Sequence, residues 1–329
     1  MRRASWLLVA TGLLVAAGCG SVSPGKTRSS TPIASASASA PTSGVPEARQ
    51  GGFLVEDPGR GQLLLIGGIG SSAMVSSTWS WDGHRWSQLN AQAQGIDMVF
   101  LDSVRNRVIA LQATGPTAYG TATWSGTWAN LNSTHVPSRM VFGSGSSVFN
   151  PTTKSGLYCG IRNETTDTPG LETWTWDGSD WSLAPVAGPA KRLDYALAYD
   201  PITKTDILFG GEPGGGPHPL FADTWSWNGS GWTQLLPTHS PAAGAAYATL
   251  DESLNAIVLL DWQGNMWTWT GSDWNAIPST NSGPGAHVLG AAFGYDPLSH
   301  RIIAFGGSTG SSASSTTWLW DGASWATAT

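Results

Sequence analysis

Six times the chain repeats a variation on Thr-Trp-x-Trp-Asp-Gly-x-x-Trp. The copies run Thr78–Trp86, Thr173–Trp181, Thr224–Trp232, Met266–Trp274 and Thr317–Trp325, with a compressed copy at Thr123–Trp128. Seventeen of the 19 tryptophans belong to this device, and only Trp6 and Trp262 lie outside it. The closing tryptophans are 42, 53, 51, 42 and 51 residues apart. A period of that size marks a repeat architecture whose single unit is too small to bury its own apolar face.

The fourth unit shows what one repeat builds. Tyr195–Tyr199 is an apolar run that ends at Asp200-Pro201, a turn-forming pair. Asp206–Phe209 follows and stops at Gly210-Gly211. After a longer loop, Trp225 and Trp227 alternate on one face of a third strand. Asn228-Gly229 then turns the chain into a fourth strand opened by Trp232. The other first strands are expected at Gly52–Glu56, Asp97–Leu101, Ser147–Phe149, Tyr247–Leu250 and Ala291–Tyr295. Four strands joined by three turns form an antiparallel meander with apolar residues on both faces. Radial stacking around an axis satisfies every such sheet. An open stack would want polar end caps, and the sixth unit keeps Trp318, Trp320 and Trp325 like an internal one. The expected fold is an all-β, six-bladed β-propeller of four-stranded antiparallel blades.

The glycine pair after the second strand (Gly67-Gly68, Gly210-Gly211, Gly306-Gly307), the aromatic third strand and the tryptophan opening the fourth resemble the kelch and galactose oxidase-like propeller family. Unit two lacks the glycine pair, and unit three has Cys159-Gly160 in its place. That resemblance implies one enzyme to test, a copper-radical oxidase, which uses a tyrosine cross-linked to a cysteine, a second tyrosine and two histidines. Cys159 adjoins Tyr158 in a second strand, but His84, His135, His218, His239, His287 and His300 fall in turns and loops without ligand-like spacing. No metal or other cofactor is therefore expected, and Cys159 reads as a small buried hydrophobe.

Residues 1–18 read as a targeting segment, with Arg2 and Arg3 ahead of an apolar stretch too short to span a bilayer. The run Leu14-Val15-Ala16-Ala17-Gly18-Cys19 resembles a bacterial lipoprotein signal, which implies cleavage before Cys19 and lipid on that cysteine. Residues 19–50 then form a Ser/Ala/Pro/Thr-rich linker expected to stay disordered, and 51–329 form the propeller. From Gly51 onward 11 Lys+Arg stand against 21 Asp+Glu, a net charge near −10. That balance argues against a nucleic-acid groove and leaves the N-terminal lipid as the only membrane contact.

No Gly-x-Ser-x-Gly elbow, His-Glu-x-x-His pair or phosphate loop is present. Long second-to-third connections on one side of the ring are the natural place for recognition residues. The candidates there are Trp262, Tyr119, Arg162 and His218. The favoured reading is a monomeric, lipid-anchored binding or scaffolding module for an extracellular protein or a cell-envelope glycan, rather than an enzyme. A carbohydrate-active lyase or hydrolase is the alternative.

Overall fold

The computed structural model describes residues 42–93, 95–115, 118–138, 146–161, 170–213, 219–310 and 312–328. Within them the six repeats form six antiparallel sheets, each a four-stranded meander in chain order, the first carrying one extra strand. Blade four runs Ala196–Asp200, Thr205–Phe209, Thr224–Trp227 and Trp232–Leu235. Its first turn forms because Asp200 accepts bonds from the Ile202 amide at 2.9 Å and the Thr203 hydroxyl at 2.6 Å. Gly229, at φ 96°, supplies the left-handed residue of the last turn.

First strands lie nearest the axis. They are Phe53–Asp57, Ile96–Asp102, Ser146–Asn150, Ala196–Asp200, Tyr247–Asp251 and Leu289–Asp296, within a residue or two of the expected ones. Each touches the next, and the sixth returns to the first, so the ring is closed. The second strands are almost wholly buried and, with the tryptophans, fill the space between blades. Trp81, Trp176 and Trp227 are 1%, 0% and 2% exposed. At about 25 cal/mol per Å² and about 150–250 Å² per ring, each buried indole contributes roughly 4–6 kcal/mol before entropy is counted.

The repeated threonine has a defined task. In every blade the last tryptophan of the third strand packs on the first of the fourth, with ring centroids 4.9–5.4 Å apart. The fourth-strand indole N–H then donates to the threonine three residues before the last tryptophan of the third strand in the preceding blade, which in blade two is Thr121 rather than Thr123. The pairs are Trp86–Thr317, Trp128–Thr78, Trp181–Thr121, Trp232–Thr173 and Trp274–Thr224, at 2.9–3.4 Å. Blade five has Met266 where the others have threonine, and the Trp325 indole N–H is left without a partner. Thr224→Val keeps the shape and strands the Trp274 donor. It should therefore lower unfolding free energy by about 1–3 kcal/mol in a denaturant titration.

A second substitution in the repeat, unlike Met266, is compensated. Five blades end the first strand on aspartate, but blade three ends on Asn150. Its amide donates to Asp206 at 3.2 Å. Burial pushes the Asp206 carboxyl up to about 8, so it is largely protonated at neutral pH.

The segment before blade one ties the ring shut. Thr42–Gly44 pairs with the outer strand of blade one. Farther on, the Arg49 amide donates to Ser314 O at 3.0 Å, the Gly307 amide to Arg49 O at 2.9 Å, and the Gly51 amide to Gly290 O at 2.6 Å, all in blade six. The Arg49 side chain turns the other way, into blade one. It donates to Gly67 O and Ser77 Oγ, each at 3.0 Å, and pairs with Glu47 at 2.7 Å. One buried arginine and its backbone thus join the first blade to the last.

Candidate active site

The first strands leave two cavities on the axis. They share Leu54, Val99, Ser147, Leu197, Ala248 and Phe293, one residue from each blade, which form a mostly apolar waist. The cavity of about 380 Å³ lies on the side where the first strands begin, the side of the long connections. Its size sits near the lower end of ligand pockets, about 300–1,000 Å³. The residues opening the expected first strands all line it: Gly52, Asp97, Ser147, Tyr195, Tyr247 and Ala291. Tyr119, Tyr158 and Asp194 join them.

Two poles carry the chemistry. At one, the Tyr119 hydroxyl donates to Asp97 Oδ2 at 2.7 Å. Tyr158 adjoins this pair and is fully buried; Tyr119 lies near its hydroxyl but not at hydrogen-bond geometry, so that hydroxyl has no well-formed partner. Burial, with Tyr119 and Asp97 alongside, holds its proton on well above the usual tyrosine range. The hydroxyls of Tyr195 and Tyr247 are spent, donating to Cys159 O at 2.9 Å and Val288 O at 3.1 Å.

At the other pole stands Asp194, held at φ 52° just before the first strand of blade four. Its backbone carbonyl accepts the Ala246 amide at 3.0 Å, which fixes it against blade five. Burial, with Glu212 adding like charge, pushes its carboxyl up to about 6. Neighbouring Arg192 does not neutralise it. That guanidinium is committed to Asp223 at 2.5 and 3.0 Å and to Gly210 O at 2.9 Å. A carboxylate poised near neutrality in a cavity is suited to proton transfer.

Of the four residues singled out in the sequence, Tyr119 reaches this cavity. Trp262 does not line it: its ring stacks on His287 with centroids 4.9 Å apart and lies close against Gly244. Arg162, His218 and Cys19 lie outside the described residues. Asp97, Tyr158, Asp194, Tyr195 and Tyr247 were not singled out. Cys159 is fully buried among Leu157, Leu171 and Leu208, and burial pushes its thiol well up. It should react with a thiol reagent only after unfolding, as followed by absorbance with and without denaturant.

Among the described residues no three of His, Cys, Asp and Glu gather where a metal ion would sit. The described histidines lie away from the cavity, His135 and His239 being bonded to Asp180 and Asp273. The donor set of a copper-radical oxidase is thus not assembled by the described residues around Cys159 or Tyr158.

Fold and cavity together define a six-bladed propeller with an axial pocket that carries two carboxylates among largely apolar walls. No family model matches the chain, and no curated protein sequence does. Among solved structures it is similar to YjhT, with 12% identity, a TM-score of 0.55, and coverage of 86% of this chain and 98% of that one. It is also similar to XC5397 from Xanthomonas campestris, described as a gluconolactonase important in glucose secondary metabolic pathways. There the identity is 13%, the TM-score 0.52, and the coverage 80% and 85%. These comparisons correct two expectations. The kelch and galactose oxidase-like assignment is not upheld, because the tryptophan and glycine pattern on which it rested encodes blade packing. The preference for a non-enzymatic binding module over an enzyme is not upheld, because one of these similar structures is described as a gluconolactonase and the axial cavity is lined by two carboxylates.

Proposed function

We propose that the protein is a carbohydrate-active hydrolase that opens a sugar ester or lactone in the axial cavity, with Asp194 as general base. One observation carries the reading: Asp194, its carboxyl poised near neutrality, shares a small pocket with a buried tyrosine hydroxyl that has no well-formed partner. The gluconolactonase likeness supports the scaffold, while the chemistry rests on the cavity's own residues.

In this reading Asp194 takes a proton from water as the water oxygen bonds to the acyl carbon. Tyr158 donates a hydrogen bond to the oxyanion that develops. Collapse breaks the acyl C–O bond, the proton on Asp194 passes to the departing alkoxide, and the acid product ionises in solution. The Asp97–Tyr119 pair holds the Tyr158 pole in place. A panel of neutral sugar lactones, acetylated sugars and aryl glycosides, followed by proton or chromophore release, tests this. Turnover of lactones or esters but not glycosides is the expected result. No acceleration of any lactone or ester over buffer rejects it.

A further inference from the structure

Resting on the axial cavity as the reaction site, a narrower statement about its ligand follows from how the lining is divided. We infer that the ligand is amphipathic, a sugar ester or lactone whose hydrocarbon chain lies against blades five, six and one. Among the described residues the acidic groups of the lining, Asp97 and Asp194, belong to blades two and four, and the hydroxyls of Tyr119, Ser146 and Ser147 to blades two and three. The opposite half carries no charged side chain. It is built mainly of Phe53, Leu54, Ala248, Leu289, Ala291 and Phe293. Tyr247 adds a ring there, packed on Phe293 with centroids 6.3 Å apart, while its hydroxyl is spent on Val288 O. Gln50 is the one other polar side chain on that side among the described residues.

The fold does not close over this apolar wall. Leu54 and Phe293 stay half-buried and Leu289 is 37% exposed, although all three line the axis. Closer approach is blocked, because each first strand already packs on both of its neighbours. A water held in a cavity needs two to four polar partners, and this half offers few. A sugar hydroxyl placed here would give up its bonds to water without replacing them. A hydrocarbon chain would release that water and forfeit no hydrogen bond. The polar half has the reverse character, so the head group faces Asp194 and the tail faces away from it. At the floor the tail runs toward the waist, where Leu54, Ala248 and Phe293 meet Val99 and Leu197.

Calorimetry with methyl, butyl and hexyl glucoside as probes tests the inference without turnover, since none of them holds an ester or a lactone. A fully buried methylene is worth nearly fourfold in affinity, and a chain covered on one side about twofold. Hexyl glucoside should therefore bind about thirtyfold more tightly than methyl glucoside, with a more negative heat-capacity change. Phe293→Ser should bring that ratio below about tenfold. Because Phe293 also packs within its own blade pair, Leu289→Ser, at the exposed rim, serves as a second variant. It should keep the melting temperature and lower the ratio by at least about twofold. A wild-type ratio below about tenfold, no binding of hexyl glucoside, or an unchanged ratio in both folded variants overturns the inference. If no lactone or ester is hydrolysed, the proposed reaction falls and the amphipathic site stands. If chain length has no effect, the site takes small polar ligands and the reaction is untouched.

Discussion

Asp194→Asn is expected to remove most turnover and, at the same time, to make the protein more stable at pH 7. Burial and Glu212 disfavour the charge of Asp194 and push its carboxyl from its ordinary value of 3.8 up to about 6 in the fold. Between those two values the folded state binds more protons than the unfolded one, so stability falls as pH rises. Above about 6 the full cost of the buried charge is present, and below 3.8 none of it remains. A shift of this size corresponds to about 2–3 kcal/mol. The amide has no charge to bury, so the variant should gain about that amount at pH 7 and lose the advantage by pH 4. Paired denaturant titrations at the two values check it. Turnover should fall by about 10²–10⁴, while wild-type activity rises with pH through an apparent pKa near 6. A variant that keeps its rate, or is less stable at pH 7, would sink the assignment of Asp194.

Arg49→Met should produce a large loss of stability although it lies outside the tryptophan layers. Methionine fills much of the aliphatic volume but donates nothing. Gly67 O and Ser77 Oγ then lose charged donors in a buried place, and Glu47 loses its counter-ion. Glu47 is 46% exposed and can rehydrate, which limits the damage on that side. Breaking a buried pair typically costs about 3–5 kcal/mol, and the lower end, about 3 kcal/mol, is expected here. At about 2–4 °C per kcal/mol for a domain of this size, the melting temperature should fall by about 6–12 °C. Cleavage by a dilute protease should rise in step. An unchanged melting temperature would mean that the contacts between the first and sixth blades hold without the arginine.

The architecture was readable because its signal is repeated and local. Tryptophans at fixed offsets announce interblade layers, and Asn228-Gly229 or Asp-Pro pairs place the turns whatever the rest of the chain does. The cavity is written differently. Asp97, Tyr195 and Tyr247 open first strands that the repeat already located, yet each occurs once and so carries no periodic signal. Reading the opening residue of each first strand as one ring, rather than as six separate strand ends, would have brought those three together at the axis. Asp194 and Tyr158 are harder. The pKa of Asp194 depends on burial and on Glu212, which a bridge between Leu193 and Glu212 brings near. Tyr158 matters only because its hydroxyl lacks a well-formed partner, which no spacing can disclose. Trp262, which lies outside the axial cavity, was singled out for the opposite reason. Standing outside the repeat made it conspicuous, but Gly244 and His287 explain it by packing.

The clasp between the two ends of the ring also sets an order of events during synthesis. Arg49 leaves the ribosome early, whereas its main-chain acceptor Ser314 follows 265 residues later. At about 5–20 residues per second that interval is about 15–50 s. Throughout it, the nascent molecule presents an unsealed flank of indoles and a buried-type arginine with half its partners not yet made. Chaperone engagement with the growing chain should accordingly persist until the last repeat emerges, then end abruptly.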